Sequence, residues 1–209
     1  MKKIKTRDRI LQTSLALFNS VGEPNVTTLL ISDEMDISPG NLYYHFKSKG
    51  DIVEELFDQY EHEMLDLLSV PNDADITLDQ QGFFLHLLFE TVARYRFLYQ
   101  DLVNVLSRYQ PLQVRFKRIK RKKTFAFRTI CESFQRQGIM EIGTKELDPL
   151  CEQLTLTSCY WSAFDTLSHL ENRETVDPGR GVYQMMHLVL PYLTPDFQEE
   201  ARLMSRDYL

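Results

Sequence analysis

The segment ISPGNLYYHFKSK, residues 37–49, decides the interpretation of the chain because it starts like a turn and continues like a helix. Ser38 is a preferred N-cap residue, and Pro39 is favoured at the first helical position, where an N–H would have no partner inside the helix. Leu42 and Phe46 are four residues apart and would lie on one side of that helix. The Pro-Gly pair therefore predicts a helix start, with Leu42 and Phe46 turned towards a core.

Most of the remaining side chains of this helix are groups that its own core cannot use. Asn41 can bind an adenine edge through two hydrogen bonds, and Pro39 can pack on a thymine methyl group. Gly40 lets the start of the helix approach a backbone closely. Donors that suit phosphate oxygens follow at Tyr43, Tyr44, His45, Lys47 and Lys49, the last at a helix N-terminus. The alternative is that the tyrosines pack on a neighbouring helix and that the lysines are solvated.

The residues before this segment complete a helix-turn-helix pattern. An apolar face over residues 10–21 predicts a first helix, which Gly22 ends. Thr27 or Thr28 can cap a second, short helix that runs to the turn at Asp36-Ile37. We expect a left-handed conformation at Asp36, because aspartate tolerates it better than most side chains. Two short helices around such a turn are a helix-turn-helix candidate.

Length and composition are typical of a soluble globular protein. The 209 residues suit one large or two small domains, and no apolar run approaches the ~20 residues that a membrane span needs. The basic N-terminus lacks the apolar stretch of a signal peptide, so we expect a cytoplasmic protein with no membrane partner. Residues 1–50 carry seven Lys and Arg against five Asp and Glu, whereas the rest carries 17 against 25. A mildly basic head on an acidic body is compatible with a head that meets DNA.

Patterns for catalysis or metal binding are weak. The cysteines at 131, 151 and 159 are too few and too widely spaced for a disulfide framework or a zinc site. HEMLD, residues 62–66, lacks the second histidine of the zinc motif HExxH. A serine, an aspartate and a histidine near residue 165 share one predicted helix, which rarely satisfies the geometry of a catalytic triad. We therefore expect no catalytic residue, no metal ion and no cofactor.

Helical periodicity continues through the rest of the chain, with almost no strand signal. The clearest loop is PNDAD, residues 71–75. A long helix is predicted from Gly50 to Leu68, and further helices are predicted near 77–95, 97–108, 111–137, 145–171 and 179–193. The expected fold is all-α with about nine helices. It divides into a three-helix helix-turn-helix head, residues 1–63, and a larger helical body, residues 64–209.

These motifs resemble the TetR family of bacterial transcriptional regulators. The resemblance rests on RDRILQTSLALFNSVG (7–22), the Thr-Thr pair before the second helix, and ISPGNLYYHFKSK with the long helix after it. Within the family, EPNV (23–26), SPGNLYYHF (38–46) and YRFLYQDL (95–102) are also similar to regulators of polyhydroxyalkanoate genes. Membership implies a homodimer with an N-terminal DNA-binding head and a divergent helical body that holds an inducer.

The resemblance also implies roles for individual residues. Thr27 and Thr28 would hold phosphate, while the start of the third helix would lie in the major groove. The full predicted DNA-binding set is Thr27, Thr28, Ser38, Pro39, Gly40, Asn41, Tyr43, Tyr44, His45, Lys47 and Lys49. Asp36 stands where the family usually has Gly, Pro39 where Lys or Arg is frequent, and Leu29-Leu30 where a charged pair is frequent. Fewer cations predict less reliance on phosphate attraction.

The body is rich in aromatic residues, some of which are predicted to line an apolar ligand cavity. The predicted pocket residues are Phe84, His86, Phe89, Tyr95, Tyr99, Phe127 and Trp161. The alternative is that these aromatics form ordinary core. RFKRIKRKK, residues 115–123, carries seven Lys and Arg and no acid. It is either a solvated basic face or a surface that attracts an anion. The expected ligand is small and apolar or amphipathic, such as an acyl-CoA or a fatty-acid-like compound.

The function predicted from these features is a sequence-specific DNA-binding regulator, in the form of a ligand-responsive repressor of a palindromic operator. By resemblance, the helices near 145–171 and 179–193 would form the homodimer interface. The two recognition helices would then lie about one DNA turn apart. The alternative is an architectural DNA-binding protein without a ligand, and an enzyme is the least favoured class.

Overall fold

Most of the chain forms α-helix, as its periodicity predicts. The structure, a computed structural model, describes residues 5–168 and 177–208, and in these ranges it has eleven α-helices and no strand. The helices are α1 (Thr6–Val21), α2 (Thr28–Glu34), α3 (Pro39–His45), α4 (Lys49–Leu67), α5 (Leu78–Arg94), α6 (Arg96–Gln100), α7 (Leu102–Arg108), α8 (Pro111–Arg136), α9 (Thr144–Leu167), α10 (Pro178–Val189) and α11 (Pro195–Ser205). The all-α prediction is confirmed. None of these helices is long and apolar enough to cross a membrane.

The head is held together by a small apolar core that α1, α2 and α3 share. Ile10 and Phe18 of α1, Ile31 of α2 and Leu42 of α3 are all fully buried. Gly22 ends α1 with φ 86°, a conformation that glycine adopts without steric cost, and its N–H donates to the Phe18 carbonyl at 3.1 Å. The core therefore fixes the three helices of the predicted helix-turn-helix head relative to one another.

The turn between α2 and α3 depends on one aspartate. Asp36 has φ 53°, and it is the only non-glycine residue with positive φ in the described ranges. The predicted left-handed conformation is therefore confirmed. Ile37 N donates to the Ser32 carbonyl at 3.0 Å, and Ser38 then caps α3. The chain reverses within a few residues, which holds α3 against α2.

Helix α4 joins the head to the body without a break. Ser48 and Asp51 form a capping box at its start, in which Ser48 Oγ accepts a hydrogen bond from Asp51 N at 3.2 Å. Its apolar side buries Phe57 and Tyr60, and the helix packs against α1, α5 and α8. The division between residues 63 and 64 falls inside this helix, so the head and the body are connected by a helix.

The helix expected at 97–108 is divided in the structure. Asp101 leaves the helical conformation (φ −134°, ψ 37°) and separates α6 from α7. Its carboxylate accepts hydrogen bonds from Asn104 at 2.6 Å and from Arg108 at 3.3 Å. Aspartate favours helix ends because its side chain competes with the backbone for hydrogen bonds. Periodicity alone missed this break because the apolar spacing continues across it.

The C-terminal helices also differ from the expected bounds. Helix α9 ends at Leu167, whereas its predicted end at 171 lies outside the described residues. Helix α10 ends at Val189 and continues as a 3-10 turn, Leu190–Tyr192. Helix α11 is missing from the prediction, whose last helix is the one near 179–193. Proline can start a helix at its first position, and Pro195 does so here.

Candidate nucleic-acid interface

Helix α3 turns its two large apolar side chains inward and its polar side chains outward. Leu42 is fully buried and Phe46 is 3% exposed, as predicted. Ser38 Oγ accepts a hydrogen bond from Asn41 N at 3.2 Å, which caps the first turn. Asn41 is exposed, and Tyr44 is 80% exposed. Because α3 contains no Lys or Arg, its outer side contacts partners mainly through hydrogen-bonding groups.

Helix α2 supports α3 through a pair of hydroxyl groups. Thr28 Oγ1 and the Tyr43 hydroxyl are 2.9 Å apart, so each orients the other. Thr27 is exposed and caps α2, where its Oγ1 accepts a hydrogen bond from Leu30 N at 3.1 Å. Leu29 and Leu30 are exposed as well, and they add apolar surface beside these hydroxyls. The two predicted phosphate-binding threonines therefore lie beside α3.

The end of α3 brings two further predicted contacts together. The His45 ring meets the Tyr44 ring edge-on, with 5.1 Å between the ring centroids. Lys47 is exposed, and its ammonium donates a long hydrogen bond of 3.5 Å to the Tyr43 carbonyl. A cation in one weak, exposed hydrogen bond can turn towards a phosphate at little cost. Thr27, Thr28 and the predicted residues from Ser38 to Lys47 thus form one surface.

Lys49 is the predicted DNA contact whose surroundings differ most from the expectation. Its ammonium pairs with the Glu23 carboxylate at 2.8 Å and donates to the Glu23 carbonyl at 3.0 Å. Glu23 also accepts hydrogen bonds from Arg108 at 2.7 Å and Tyr109 at 2.6 Å, both in the body. Burial would raise the pKa of Glu23, but these hydrogen bonds and charges outweigh it and hold that pKa below its ordinary value. Lys49 therefore belongs to a cluster that ties the head to the body, and its role at a phosphate stays a prediction.

A second polar contact between head and body centres on Asn19 of α1. Its side chain donates to the Arg94 carbonyl at 2.8 Å and accepts from Phe97 N at 3.0 Å. The Asn19 carbonyl accepts from Arg96 Nε at 3.1 Å. The Phe18 ring packs beside the Phe97 ring, with 5.3 Å between the centroids. The position of the head is therefore coupled to α5 and α6 as well as to α7.

The seven predicted pocket residues all contact other residues of the described chain. Phe84 packs on Phe127, Phe89 on Gly181, His86 on Tyr208 and Trp161 on Phe164. Tyr95 donates to Glu63 Oε1 at 2.9 Å, and the Tyr99 hydroxyl is also bonded inside the protein. A cavity of about 530 Å³ lies elsewhere, between α7, α8 and α9, and none of the seven lines it. Their role in ligand binding stays a prediction.

The basic run 115–123 contains a buried lysine that sequence reasoning missed. Lys123 is fully buried, and its ammonium donates to the Tyr99 hydroxyl at 3.1 Å and to the Ser158 carbonyl at 3.3 Å. The hydroxyls of Tyr99 and Tyr60 are 2.5 Å apart, which extends this hydrogen-bond chain to α4. Burial lowers the pKa of Lys123 and raises those of both tyrosines. Lys123 is thus an exception to the predicted basic face. Lys123 lies seven residues after Phe116, on the apolar stripe of α8, and this spacing could have predicted its burial.

Helix α9 leaves one apolar side uncovered within the described chain. Leu156, Tyr160, Phe164 and Leu167 are spaced by four, four and three residues, so they lie on one side of the helix. They are 58%, 44%, 61% and 66% exposed, respectively. The opposite side of α9 packs against α6, α8 and α10. A row of large apolar side chains in water favours a partner surface.

Two family models match the chain. One, described as "Bacterial regulatory proteins, tetR family", matches residues 10–56. The other, described as "Bacterial transcriptional repressor", matches residues 59–201 and so covers more than half of the chain.

Individual relatives agree with these matches. A TetR-family transcriptional regulator from Marinobacter aquaeolei VT8, solved as a crystal structure, is 35% identical, with a TM-score of 0.86 over 98% of this chain and 99% of that one. The "Probable HTH-type transcriptional regulator YttP" of Bacillus subtilis (strain 168) is 24% identical over 97% of this chain and 84% of that protein. The "Biofilm operon icaADBC HTH-type negative transcriptional regulator IcaR" of Staphylococcus epidermidis is 27% identical over 46% of this chain and 52% of that protein. All three names describe transcriptional regulators and not enzymes. The similarity to regulators of polyhydroxyalkanoate genes stays a prediction.

Proposed function

Because the chain belongs to the TetR family of bacterial transcriptional regulators and is not an enzyme, we propose that it is a cytoplasmic, ligand-responsive repressor that binds a palindromic operator as a homodimer. The observation that supports this most directly is the outer side of α3. Small and neutral polar residues surround its capped first turn, while Leu42 and Phe46 stay buried. A helix of this kind can enter the major groove and contact base edges. The description of the matching family as repressors and the name of IcaR, a negative regulator, favour repression.

In this proposal the head, residues 1–63, makes two kinds of DNA contact: some residues contact base edges, and others contact phosphates. Pro39, Gly40 and Asn41 enter the major groove, where Asn41 binds an adenine edge. The residues that hold the flanking phosphates are Thr27, Thr28, Ser38, Tyr43, Tyr44, His45, Lys47 and Lys49. Since α3 has no Lys or Arg and only Lys47 and Lys49 of this set are Lys or Arg, hydrogen bonds contribute more to the affinity than counterion release does.

The second copy docks on the C-terminal helices α9 and α10 of the body, residues 64–209. The exposed row from Leu156 to Leu167 is the support for this placement, because pairing two such rows removes large apolar side chains from water. A two-fold dimer would hold its two α3 helices about 34 Å apart, which matches half-sites one DNA turn apart. The palindrome of the operator then reflects the symmetry of the dimer.

Ligand binding in the body is proposed to lower the affinity for DNA. The contacts around Glu23 and Asn19 support this coupling, because a shift of α5, α6 or α7 would displace the head through them. A ligand acts in this way only if it binds the two arrangements with different affinities. The proposed ligand is small and apolar or amphipathic, of the acyl-CoA or fatty-acid-like kind.

Selection of bound DNA from a random-sequence library, with the full-length protein as bait, tests this function. We expect enrichment of one palindrome whose half-sites are centred about one turn apart. The enriched DNA is then titrated with protein in the presence of acyl-CoA and fatty-acid probes, and binding should weaken with at least one of them.

The control for the selection is a variant that keeps the head folded but loses recognition. Asn41→Ala combined with Tyr44→Ala changes two exposed residues of α3, so circular dichroism and thermal stability should be unchanged while enrichment is lost. If the wild-type protein binds DNA without sequence preference, it is an architectural DNA-binding protein and the proposal is overturned.

A further inference from the structure

The outer side of α8 borders an apolar cavity. The cavity between α7, α8 and α9 has a volume of about 530 Å³, within the range of roughly 300–1,000 Å³ that small-molecule sites occupy. Its apolar wall includes Leu102 of α7, Phe116 of α8, and Leu156 and Cys159 of α9. Three helices thus contribute to one space large enough for a small ligand.

A second hollow of about 370 Å³ adjoins the cavity, because Lys120, Thr124 and Arg128 line both. Lys117 and Arg121 line the hollow but not the cavity. Spacings of three and four residues place these five side chains along one side of α8. The apolar space therefore leads directly onto a basic surface.

Part of the charge around the cavity is neutralised within the protein. Arg128 pairs with Asp148 and lies 3.7 Å from Glu132. Glu152 lines the cavity from α9, on the same side as Asp148. An anion would be repelled by the two acids of α9, so its favoured position is at the other end, on α8.

The α8 end of this surface keeps its positive charge. Lys117, Lys120 and Arg121 are exposed, and no carboxylate among the described residues pairs with them. Three cations within five residues produce a local positive field that attracts anions. Helix α8 therefore places an apolar cavity and a group of unpaired cations side by side.

We propose that this site binds an amphipathic anion, with its apolar tail in the cavity and its carboxylate or phosphate head group on Lys117, Lys120 and Arg121. This assignment rests on the proposed ligand responsiveness of the body, and it adds the place of the ligand, the need for a negative charge and the residues that bind the head group. An uncharged apolar compound would leave the cations without a partner. A small inorganic anion would leave the apolar wall in contact with water.

The cavity wall is also close to the hydrogen-bond chain that reaches α4. The ring of Phe116 packs against the ring of Tyr99, with 6.2 Å between the centroids. Tyr99 binds both Lys123 and Tyr60, and Tyr60 is part of α4, which follows α3 directly. A tail that displaces Phe116 would therefore push Tyr99 against the helix that carries the head.

Three ten-carbon probes test the assignment on the full-length protein: decanoate, decanoyl-coenzyme A and decanol. The single tryptophan of the chain, Trp161, follows the cavity residue Tyr160, so its fluorescence can report occupation. At least one anionic probe should bind roughly tenfold more tightly than decanol. Decanoate and decanoyl-coenzyme A distinguish a carboxylate head group from a phosphate one. Shortening the preferred probe should weaken binding by roughly two- to fourfold per methylene.

Variants of α8 separate a specific site from a general attraction. Lys120→Gln should weaken the anionic probe by roughly fivefold to tenfold and leave decanol unchanged, because one head-group contact is lost. Arg118→Gln removes the same charge from the same helix but lines neither the cavity nor the hollow, so it should leave both affinities unchanged. Equal weakening by the two variants, equal affinity for decanol and the anions, or no binding of any probe overturns the assignment.

Two further outcomes identify what failed. A dimer that binds its selected operator but none of the probes overturns this assignment and leaves the proposed DNA-binding function intact. Leu156 and Tyr160 belong both to the cavity wall and to the exposed row of α9. A second copy of the chain that docks on this row could therefore fill the cavity in place of a ligand. If a monomeric Phe164→Glu variant binds the probes and the dimer does not, the partner subunit fills the cavity and the assignment is wrong.

Discussion

The exposed side chains of α3 are free for recognition because two buried ones, Leu42 and Phe46, hold the helix on the head. Asn41 and Tyr44 are exposed and three residues apart, so they are neighbours on the helix surface. Asparagine has a donor and an acceptor that match one base edge, whereas a tyrosine hydroxyl suits any phosphate oxygen. We therefore expect Asn41 to contribute to base preference and Tyr44 to contribute equally to binding of any sequence.

Asn41→Ala should relax base preference at one position in each half-site and weaken the selected operator by roughly 1–3 kcal/mol. Tyr44→Phe removes a single hydroxyl and should weaken selected and random DNA by the same factor. Competition binding with operators altered at one base pair measures both. A change of base preference in Tyr44→Phe, with none in Asn41→Ala, would reverse the assigned roles.

The buried amine of Lys123 predicts a dependence of stability on pH. Burial lowers its pKa in the folded protein, so the unfolded chain binds more protons below the ordinary lysine value of 10.5. The free energy of unfolding should therefore rise as the pH increases towards that value. The neighbouring hydroxyls of Tyr60 and Tyr99 have raised pKa values and stay neutral in this range.

Lys123→Met keeps most of the side-chain volume and removes the titrating group. Near pH 7 the variant should have a higher free energy of unfolding than the wild type. This difference should shrink as the pH approaches 10. Urea unfolding at several pH values measures the difference, and Lys145→Met, at an exposed position, serves as the control. Parallel pH profiles of the wild type and Lys123→Met would show that the buried amine does not titrate as described.

At the scale of the element, the helix-turn-helix is set by its caps and by one strained turn. Ser38, Thr27 and Ser48 each accept a backbone hydrogen bond at the start of a helix, so α2, α3 and α4 begin where the sequence places a cap. Between them, Asp36 adopts a left-handed conformation in which a Cβ is unfavourable. Aspartate tolerates that conformation, and glycine adopts it without the steric cost.

Asp36→Gly should therefore raise the free energy of unfolding by about 0.5–1 kcal/mol, because it relieves the steric cost of the Cβ. Asp36→Ala keeps the Cβ and loses the polar side chain, so it should lower the stability. Thermal and urea unfolding of both variants measure the two effects. Shifts in the same direction would mean that the backbone conformation at residue 36 is not what limits the stability.

The starts of helices were easier to predict than their interruptions. Pro39 marked the beginning of α3 because Ser38 precedes it as a cap, and the structure agrees. Pro195 also begins a helix, which was not predicted, and Thr194 before it makes no side-chain cap bond. The break at Asp101 is stabilised by hydrogen bonds from Asn104 and Arg108, and the apolar spacing, which continues across the break, does not reveal it.

At the scale of the whole molecule, polar contacts at Glu23 and Asn19 help to fix the head to the body, and the proposed dimer surface lies on α9, far from the head in the sequence. Glu23 is bound by Arg108 and Tyr109 at the end of α7, and Asn19 is bound to α5 and α6. The row from Leu156 to Leu167 faces away from the packed side of α9. A change inside the body can therefore reach both the head and the spacing between two heads.

Phe164→Glu places a charge in the exposed row of α9 and should raise the dimer dissociation constant by roughly tenfold or more. Operator affinity should fall with it, because the two half-sites are no longer bound by linked heads. Leu203→Glu, on the exposed side of α11, is the matched control and should remain dimeric. Sedimentation equilibrium measures both variants. A Phe164→Glu variant that stays as dimeric as the control would place the interface elsewhere.

The sequence by itself determined most of the helices, the caps of α2 and α3, and the residues of α3 that point outward, because these depend on neighbours within about four positions. Only the tertiary structure decided that Lys49 pairs with Glu23, 26 residues away, and that Lys123 donates to Tyr99, 24 residues away. The two lysines belong to charged segments whose local pattern suits either exposure or burial. Their surroundings are decided by side chains that only the packing of distant helices brings together. The cavity between α7, α8 and α9 has the same origin, since its walls come from residues 102 to 160.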